Sequence, residues 1–410
     1  MKKNYHNILV DGKKIRFYPD EMLFYKGSSF PKDVDKDRNV RPSVCKSVKI
    51  ANSRKLQLAL TITKSCNMKC TYCYDKKNMN ISSNSKNMHF STLCDAVNKF
   101  CNSRIGNYNI HFIGGEPLLC LDLIKQTVDY CNKKAAIDSS VFTYSISTNG
   151  TIIDKAIAKY FSENKIKIRL TFDGVEESQN VNRPMRNREQ SFSHVVRSLS
   201  NLRNASCDFS VISVLHPNFL HKMLKAFENI IQYNPNAIKF VPLINIDALG
   251  CKYVSDHSVM FAESLRNIAN QLISRKDEKT IMKIKNISVY LPYIHNRIAN
   301  IKGCIAVNKQ SYAVNVDGSV YPCSTFVGID THRLGMINDY ELNPNSIKCE
   351  SITTRCLSCW ARTLCPGVCA YTADNNSACS SAMNCEFIKG EITVALEVYS
   401  KLYPHKIRRE

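Results

Sequence analysis

The sequence predicts an α/β protein built on a partial (β/α)6 barrel, followed by a cysteine-rich C-terminal domain. Near-continuous apolar runs, typical of buried parallel strands, alternate with amphipathic helical stretches. Glycine-rich and polar motifs follow several of these runs, and barrel enzymes place their active sites at the carboxyl ends of the strands. A dense series of cysteines follows the barrel and has the spacing of metal ligands.

The sequence of residues 1–55 predicts a separate β-rich segment. Two apolar runs joined by Asp11-Gly12 predict a hairpin, and a third short run covers residues 22–25. We expect this segment either to extend the main sheet or to bind a peptide along an edge strand, as a leader-peptide-binding element would.

The barrel is expected over residues 56–250, and a helical bridge without evident chemistry over 251–303. Residues 304–390 then form the cysteine domain, and 391–410 a C-terminal helix or tail. His111, in the second strand, is expected to be a packed core histidine. The predicted strands are 56–62, 109–113, 141–147, 166–172, 209–215 and 238–243, and the predicted helices are 91–100, 118–132, 154–164, 191–202 and 219–233.

The loop after the first strand carries Cys66, Cys70 and Cys73 at C-x3-C-x2-C spacing. Three thiolates on one loop can hold three irons of a [4Fe–4S] cluster, whereas electron-carrying clusters usually have four cysteine ligands. The fourth iron is then open to a small molecule, by the same logic as the unfilled position of a catalytic zinc site. Met68 and Tyr72 add bulk that can shield the cluster. Three inert buried cysteines, or part of a zinc knuckle, are the alternatives.

This loop, with Tyr72 directly before its third cysteine, resembles the motif of the radical S-adenosylmethionine (radical SAM) superfamily. The resemblance extends to a GGEP motif at 114–117 and to the polar strand end at 147–150. It implies a SAM-binding [4Fe–4S] cluster at the open iron. It also implies that the cofactor contacts include Tyr72, Gly114, Gly115, Glu116, Pro117, Ser147, Asn149 and Asp173.

Four of these residues have specific expected roles. Gly114 and Gly115 lack side chains and would let the backbone approach the cofactor closely. Glu116 would pair with the ammonium group of SAM. Asp173 either contacts the cofactor or substrate or caps a turn, since Asp-Gly is a strong turn signal.

Seven C-terminal cysteines need two metal centres, because they are too many for one tetrahedral site. Their spacing resembles the SPASM pattern, in the peptide-modifying branch of the superfamily, and implies two auxiliary [4Fe–4S] clusters. By this resemblance the first is bound by Cys304, Cys323 and Cys369, and the second by Cys356, Cys359, Cys365 and Cys385. Two structural zinc sites are the alternative, and Cys379 is an alternative to Cys385.

The chain departs in two ways from the related anaerobic sulfatase maturases. No cysteine lies between Cys304 and Cys323, so the first auxiliary cluster either recruits Cys251 or Cys349 or leaves an iron for a substrate thiolate. Ser324 stands after Tyr321-Pro322-Cys323, where those enzymes carry an aspartate base, and a serine hydroxyl is a poor base without help.

These departures favour a maturase that installs a thioether or other cross-link in a ribosomally made peptide. A sulfatase-type maturase that forms formylglycine is the second hypothesis. A non-enzymatic iron–sulfur electron carrier, from another class, is the third. The expected partners are a precursor peptide and an electron donor such as flavodoxin or ferredoxin.

The composition of the chain narrows the expected cellular compartment and the expected classes of binding partner. The 410 residues contain no apolar run of about 18 residues, which excludes a predicted membrane span. The N-terminal apolar stretch is too short for a secretion signal, so we expect a cytoplasmic protein whose 19 cysteines serve as ligands or core residues rather than in disulfides. The net charge of +21 is scattered, which favours a solvated surface or an acidic peptide partner over nucleic acid.

Overall fold

A computed structural model of the full chain describes residues 5–20, 22–26, 55–73, 86–102, 106–243, 253–300, 304–306, 308–343, 356, 358–367, 369–371 and 378–409. In chain order the strands are β1 (His6–Val10), β2 (Lys13–Tyr18), β3 (Leu23–Lys26), β4 (Lys55–Thr63), β5 (Asn107–Gly114), β6 (Val141–Thr148), β7 (Lys167–Thr171), β8 (Phe209–Leu215), β9 (Ala237–Pro242), β10 (Ser311–Val314), β11 (Ser319–Tyr321), β12 (Gly335–Met336) and β13 (Arg408–Arg409). The α-helices are α1 (Phe90–Phe100), α2 (Leu121–Asp138), α3 (Lys155–Glu163), α4 (Glu176–Asn182), α5 (Phe192–Asn204), α6 (Met223–Ile231), α7 (Ser255–Ser274), α8 (Glu278–Ile281), α9 (Lys285–Ser288), α10 (Leu291–Asn296) and α11 (Ala378–Leu402).

Six parallel strands, β4 to β9, pair in sequence order and form the predicted partial barrel. Alternate residues of each strand point outward into the helical layer, where Leu58, Ile110 and Leu170 are fully buried. The other residues face the barrel interior. The fold class predicted from the sequence is therefore confirmed.

The helices match their predicted positions, with two local differences. The predicted helices at 118–132 and 219–233 each begin with a 3-10 turn, Pro117–Cys120 and Pro217–Lys222, before α2 and α6. Proline lacks a backbone N–H and suits a first turn, which explains both starts. Helix α4 was not predicted, because its seven residues carry no clear apolar periodicity.

The cysteine-rich region continues the barrel sheet. Its hairpin, β10 and β11, turns at Asp317-Gly318, and β10 pairs in parallel with β4 at the open edge of the barrel. The resulting nine-stranded sheet has the order β12-β11-β10-β4-β5-β6-β7-β8-β9. This direct continuation was not expected from the sequence, since non-local strand pairing leaves no local signal.

The N-terminal strands form a second sheet with the order β1-β2-β3-β13, in which β13 comes from the C-terminus. The hairpin is confirmed, with positive φ at Asp11 and Gly12 as a type I′ turn requires. The alternative that this segment extends the main sheet is wrong for the described strands. His6 stacks on Trp360 with ring centroids 3.6 Å apart, which joins this sheet to the cysteine-rich region.

The predicted helical bridge contains α7 to α10, and the long C-terminal helix α11 packs against α7. Arg266 of α7 donates two hydrogen bonds to the Glu397 carboxylate of α11, at 2.7 and 3.1 Å. Within the described residues, no helix combines the length and apolarity needed to cross a membrane.

Candidate active site

The three-cysteine loop follows β4 at the carboxyl end of the barrel. Cys66, Cys70 and Cys73 are all partly buried. Burial raises the pKa of the Cys66 thiol, and the nearby charges of Glu116 and Cys70 raise it further. A bound cation would reverse this effect, because a metal favours the thiolate. Three partly buried thiols on one short loop are a donor set that fits a [4Fe–4S] cluster with one open iron.

Segment 182–186, which follows α4, holds the cysteine loop through its backbone. The N–H of Lys69 donates to the carbonyl of Pro184, and the N–H of Thr71 donates to the carbonyl of Asn182, both at 2.8 Å. The Arg186 guanidinium donates to the carbonyl of Cys66 at 2.7 Å. These backbone contacts fix the loop conformation before any cofactor binds.

Buried side chains link the same two segments. The Tyr72 hydroxyl donates to Asp173 Oδ1 at 2.9 Å, and an Arg183 guanidinium nitrogen donates to the Tyr72 oxygen at 3.2 Å. The second Asp173 oxygen accepts from the Ser178 hydroxyl at 3.1 Å. Burial raises the pKa of Asp173, and the Arg183 charge partly offsets this. Asp173 therefore anchors the start of α4, which agrees with the alternative that it caps a turn. A contact between Asp173 and a cofactor stays a prediction.

The Glu116 carboxylate is fully buried and is engaged by the chain itself. One oxygen accepts from the Thr148 hydroxyl at 2.7 Å and the Leu118 N–H at 3.1 Å, and the other accepts from the Asn149 N–H at 2.7 Å. The structure thus gives Glu116 the role of joining the ends of β5 and β6. Its expected pairing with the SAM ammonium stays a prediction.

The two GGEP glycines permit close packing of neighbouring strand ends. A Cβ at Gly114 would lie 2.2 Å from the Thr63 carbonyl oxygen, and one at Gly115 would lie 2.3 Å from the Ser65 carbonyl oxygen. The absence of side chains is therefore required by the chain's own backbone. The expected close approach of these glycines to the cofactor stays a prediction. Pro117 begins the 3-10 turn that follows.

Asn149 lies beside the cysteine loop, whereas Ser147 faces the barrel interior. The Asn149 side-chain nitrogen donates to Asn67 Oδ1 at 2.8 Å and lies 3.9 Å from the Cys66 sulfur. The Ser147 hydroxyl lies 3.1 Å from His111 Nε2. Burial lowers the pKa of His111 to about 3, so the imidazole is neutral. His111 is thus a hydrogen-bonded histidine inside the barrel rather than one packed in the outer core.

The structure brings the C-terminal cysteines into two groups. The pKa of Cys365 is raised to about 11, mainly by burial and to a smaller extent by the neighbouring thiols of Cys385, Cys359 and Cys356. Burial also raises the pKa of Cys323, with a smaller contribution from Cys369. Cys323 and Cys304 pack on the same apolar cluster, which contains Tyr321 and Phe326. The SPASM resemblance implies the same two sets, and the assignment of these cysteines as cluster ligands stays a prediction.

In the part of the chain that the structure describes, no three His, Cys, Asp or Glu side chains converge as they would around a single ion. A four-iron cluster separates its ligands more widely than one ion does. Cys251 and Cys349 lie outside the described residues, as does the side chain of Cys379.

Arg183, Arg186 and Thr148 were not assigned a role from the sequence. Thr148 lies inside the polar strand end at 147–150, so its position could have been anticipated. Arg186 carries no sequence signal, because its contact depends on the fold of the segment around it. Of the described cysteines outside the motifs, Cys101, Cys131 and Cys207 are buried, as predicted, whereas Cys94 and Cys120 are only partly buried.

Comparison with known proteins agrees with this geometry. Residues 60–230 match the family profile described as Radical SAM superfamily. A cysteine-type anaerobic sulfatase-maturating enzyme of Clostridium perfringens (strain 13 / Type A) is 27% identical over 337 residues, covering 78% of this chain and 90% of that protein.

Two solved structures share the fold. Native anSMEcpe with bound AdoMet and Cp18Cys peptide superposes with a TM-score of 0.70 at 23% identity, covering 86% of this chain and 99% of that one. Streptococcus suis SuiB bound to precursor peptide SuiA superposes with a TM-score of 0.53 at 14% identity, covering 80% of this chain and 74% of that one. The chain is an enzyme with a radical SAM domain over residues 60–230, a domain that uses a [4Fe–4S] cluster and SAM, and it is similar to anaerobic sulfatase-maturating enzymes.

Proposed function

We propose that this enzyme modifies a ribosomally synthesised peptide by forming a thioether or other cross-link. The observation that carries this proposal is Ser324, which directly follows Cys323 at the start of a 3-10 turn. A serine there supplies no carboxylate to take the proton that formylglycine formation must release. Cross-linking instead joins a peptide carbon to a sulfur or second carbon, with loss of two hydrogen atoms.

In this proposal Cys66, Cys70 and Cys73 hold the SAM-binding cluster. The cluster and SAM, when bound, supply a 5′-deoxyadenosyl radical able to take hydrogen from an unactivated carbon. The chain orients this chemistry through the backbone contacts of segment 182–186, which fix the cysteine loop. The proposed contact of Asn149 with the cofactor is supported by its side-chain nitrogen, which lies 3.9 Å from the Cys66 sulfur.

Two auxiliary clusters complete the proposal. The first would be bound by Cys304, Cys323 and Cys369, and the second by Cys356, Cys359, Cys365 and Cys385. Cys369 is exposed, so the first group is open to solvent and to a peptide at this position. An incompletely ligated first cluster would be able to bind a substrate thiolate, which suits thioether formation.

The peptide substrate is supported by two related proteins. anSMEcpe binds the Cp18Cys peptide and SuiB binds its precursor peptide SuiA, and both share this fold. We propose the same class of substrate here, with a small iron–sulfur or flavin protein such as ferredoxin or flavodoxin as electron donor.

A sulfatase-type maturase is the second candidate. The 27% identity with the Clostridium perfringens enzyme, over 90% of that protein's length, favours it. The two candidates differ in what the product retains. A cross-link keeps the sulfur and loses two hydrogens, whereas formylglycine formation from cysteine replaces the thiol by an aldehyde and loses the sulfur.

The test is turnover of the anaerobically reconstituted enzyme with SAM and a strong reductant. One arm uses a cysteine-containing peptide encoded beside the enzyme, and the other uses the Cp18Cys peptide. Product mass and 5′-deoxyadenosine release are measured, with Cys70→Ala as the inactive control. Loss of two hydrogens with retained sulfur supports cross-linking. An aldehyde product would establish the second candidate, and no 5′-deoxyadenosine in either arm would contradict both.

A further inference from the structure

A polar cavity of about 340 Å³ opens at the amino-terminal end of the barrel, opposite the cysteine loop. Its wall includes interior-facing side chains from five consecutive parallel strands, β4 to β8. These are Gln57, Asn109, Ser145, Arg169 and Ser210. None of the residues assigned to the cofactor or the auxiliary clusters lines this cavity.

Strand register explains why these side chains meet. Gln57 pairs with Asn109 across β4 and β5, and Arg169 pairs with Ser210 across β7 and β8. Paired residues in parallel strands project to the same face, so these four side chains enter the barrel together. The alternate residue Leu170 points outward and is fully buried. The cavity is therefore a consequence of strand alternation and not of a surface loop.

The cavity carries an excess of positive charge. Lys55, Lys167 and Arg169 line it, and Asp208 is its one acidic lining residue. Asp208 lies 3.5 Å from the Lys167 ammonium, so this pair is approximately neutral. Burial lowers the pKa of Lys55, and the Lys167 charge lowers it further. The cavity thus retains two cationic side chains that a bound anion would stabilise.

Those two cations lack partners in the structure. Among the described residues, the side chains of Lys55 and Arg169 make no hydrogen bond or ion pair, and the Gln57 side-chain amide makes no hydrogen bond. By contrast, the polar groups of Asn109 and Ser210 are already used by neighbouring strand atoms. Burial lowers the pKa of Arg169, but a guanidinium stays protonated at neutral pH. Three donors with no acceptor therefore converge on the cavity.

A hydrogen-bonded chain joins the cavity to the upper part of the barrel. The Ser145 hydroxyl donates to Asn109 Oδ1 at 3.0 Å, so His111 Nδ1 must donate to the Ser145 oxygen, at 2.8 Å. The neutral His111 then accepts from Ser147 through Nε2 at 3.1 Å. This line of contacts runs through the barrel interior from Asn109, in the cavity wall, to Ser147 near the carboxyl end of β6.

We propose that the cavity binds a carboxylate, held by Arg169 and Lys55 with the Gln57 amide as a further donor. A guanidinium pairs with a carboxylate through two parallel hydrogen bonds, which makes Arg169 the main contact. The volume lies within the range of small-molecule sites. The carboxylate belongs either to a free organic acid or to an acidic side chain of the peptide substrate, and the latter source rests on the proposed function.

The test is isothermal titration calorimetry on the anaerobic holoenzyme. The probes are glutarate, the uncharged glutaramide and the blocked peptide acetyl-Gly-Glu-Gly-amide. We expect saturable binding of one probe per chain for glutarate or the peptide, none for glutaramide, and weaker binding at higher salt. Arg169→Gln should weaken binding about tenfold, because it removes a charge-assisted hydrogen bond. Lys225→Gln, which removes an exposed lysine on α6, should bind as the wild type does.

Comparison of the glutarate and peptide titrations identifies the source of the bound carboxylate. Binding of glutarate supports a free acid, and binding of the peptide alone supports an acidic side chain. If Arg169→Gln does not fold, as judged by circular dichroism, Lys55→Gln decides the comparison. Absence of saturable binding of both carboxylate probes at millimolar concentration, or equal binding by wild type and variants, would overturn the proposal. Since no turnover is required, a failure of the proposed function leaves this result interpretable.

Discussion

Three charged side chains near the cysteine loop are almost completely buried. Glu116 is 0% exposed, Asp173 3% and Arg183 6%. Each buried charge needs compensation, because transfer from water to the interior is unfavourable. Glu116 and Asp173 obtain it from neighbouring hydroxyl or N–H donors. Arg183 contacts the Tyr72 oxygen, but its Nε has no hydrogen-bond partner among the described residues.

Arg183 is therefore expected to affect the cluster electrostatically. Its positive charge lies close enough to Cys70 to interact with that thiolate. Replacing it by Gln removes this charge, which disfavours the reduced, more negative cluster. We expect Arg183→Gln to lower the midpoint potential of the SAM-site cluster by roughly 50 mV. The measurement is a potentiometric titration followed by electron paramagnetic resonance, using the signal that changes when SAM is added.

Arg188→Gln is the matched control, since Arg188 belongs to the same loop but is exposed. Its potential should remain near that of the wild type, because water screens an exposed charge. Equal potentials in Arg183→Gln and Arg188→Gln would show that Arg183 has only a structural role.

At the scale of elements, the cysteine loop depends on close packing between the ends of β4 and β5. The N–H of Gly115 donates to the Thr63 carbonyl and that of Glu116 donates to the Ser65 carbonyl, both at 2.8 Å. A side chain at Gly115 would meet the Ser65 carbonyl and displace the loop. The position of the loop is thus set by a backbone contact between strands.

Gly115→Ala is expected to destabilise the protein by about 1–3 kcal/mol, the usual cost of overpacking. The content of the SAM-site cluster should also fall in this variant, because the displaced loop carries Cys66. Urea unfolding and iron analysis measure the two effects. Gly12→Asn is the control: its Cβ meets nothing within 4 Å, and Asn tolerates the positive φ of +73°. A Gly115→Ala protein with wild-type stability would contradict the packing argument.

The contact between the N-terminal sheet and the cysteine-rich region is expected to depend on pH. Burial lowers the pKa of His6 to about 4, below its ordinary value of 6.5. The unfolded chain therefore binds the proton more readily, and stability is lost as pH falls from 6.5 towards 4. Allowing for partial exposure, we expect about 1 kcal/mol less stability at pH 5.5 than at pH 7.

The fluorescence of Trp360, the only tryptophan, reports this contact during guanidinium unfolding. His6→Phe keeps an aromatic ring on Trp360 but cannot be protonated, so its stability should lose this pH dependence. His221→Gln, at an exposed histidine, should behave as the wild type. A pH dependence that persists unchanged in His6→Phe would exclude His6 as its source.

At the scale of the whole molecule, the barrel and the cysteine-rich region share one sheet. β10 pairs with β4, so the cysteine that follows β11 is held beside the strand that carries the SAM-site loop. α11 carries Cys385 and returns the chain to the barrel, where it packs on α7. The assembly therefore places both groups of auxiliary cysteines on elements joined to the barrel.

Cys385 is expected to be a ligand of the second auxiliary cluster, since its pKa responds to Cys356 and Cys359 after the larger effect of burial. Cys385→Ala should lose iron corresponding to one cluster, while Cys379→Ala retains it. Iron and sulfide analysis with Mössbauer spectroscopy measures the change. Peptide product should also fall in Cys385→Ala. The opposite pattern, with iron lost only in Cys379→Ala, would exchange the two assignments.

The sequence alone determined the barrel, the three-cysteine loop and the grouping of motifs at one end of the strands. These features are local: apolar runs, turn residues and cysteine spacing are read within a few positions of one another. The helix starts at Pro117 and Pro217 were displaced by a few residues, because a 3-10 turn and an α-helix share the same apolar pattern.

Only the tertiary structure decided which polar side chains are available to a ligand. Glu116 is engaged by three donors of its own chain, whereas Arg169 and Lys55 face an open cavity without partners among the described residues. The tertiary structure also showed that β10 extends the barrel sheet and that β13 completes the N-terminal sheet. Hydrogen bonding and burial depend on residues far apart in the chain, so their outcome has no local sequence pattern.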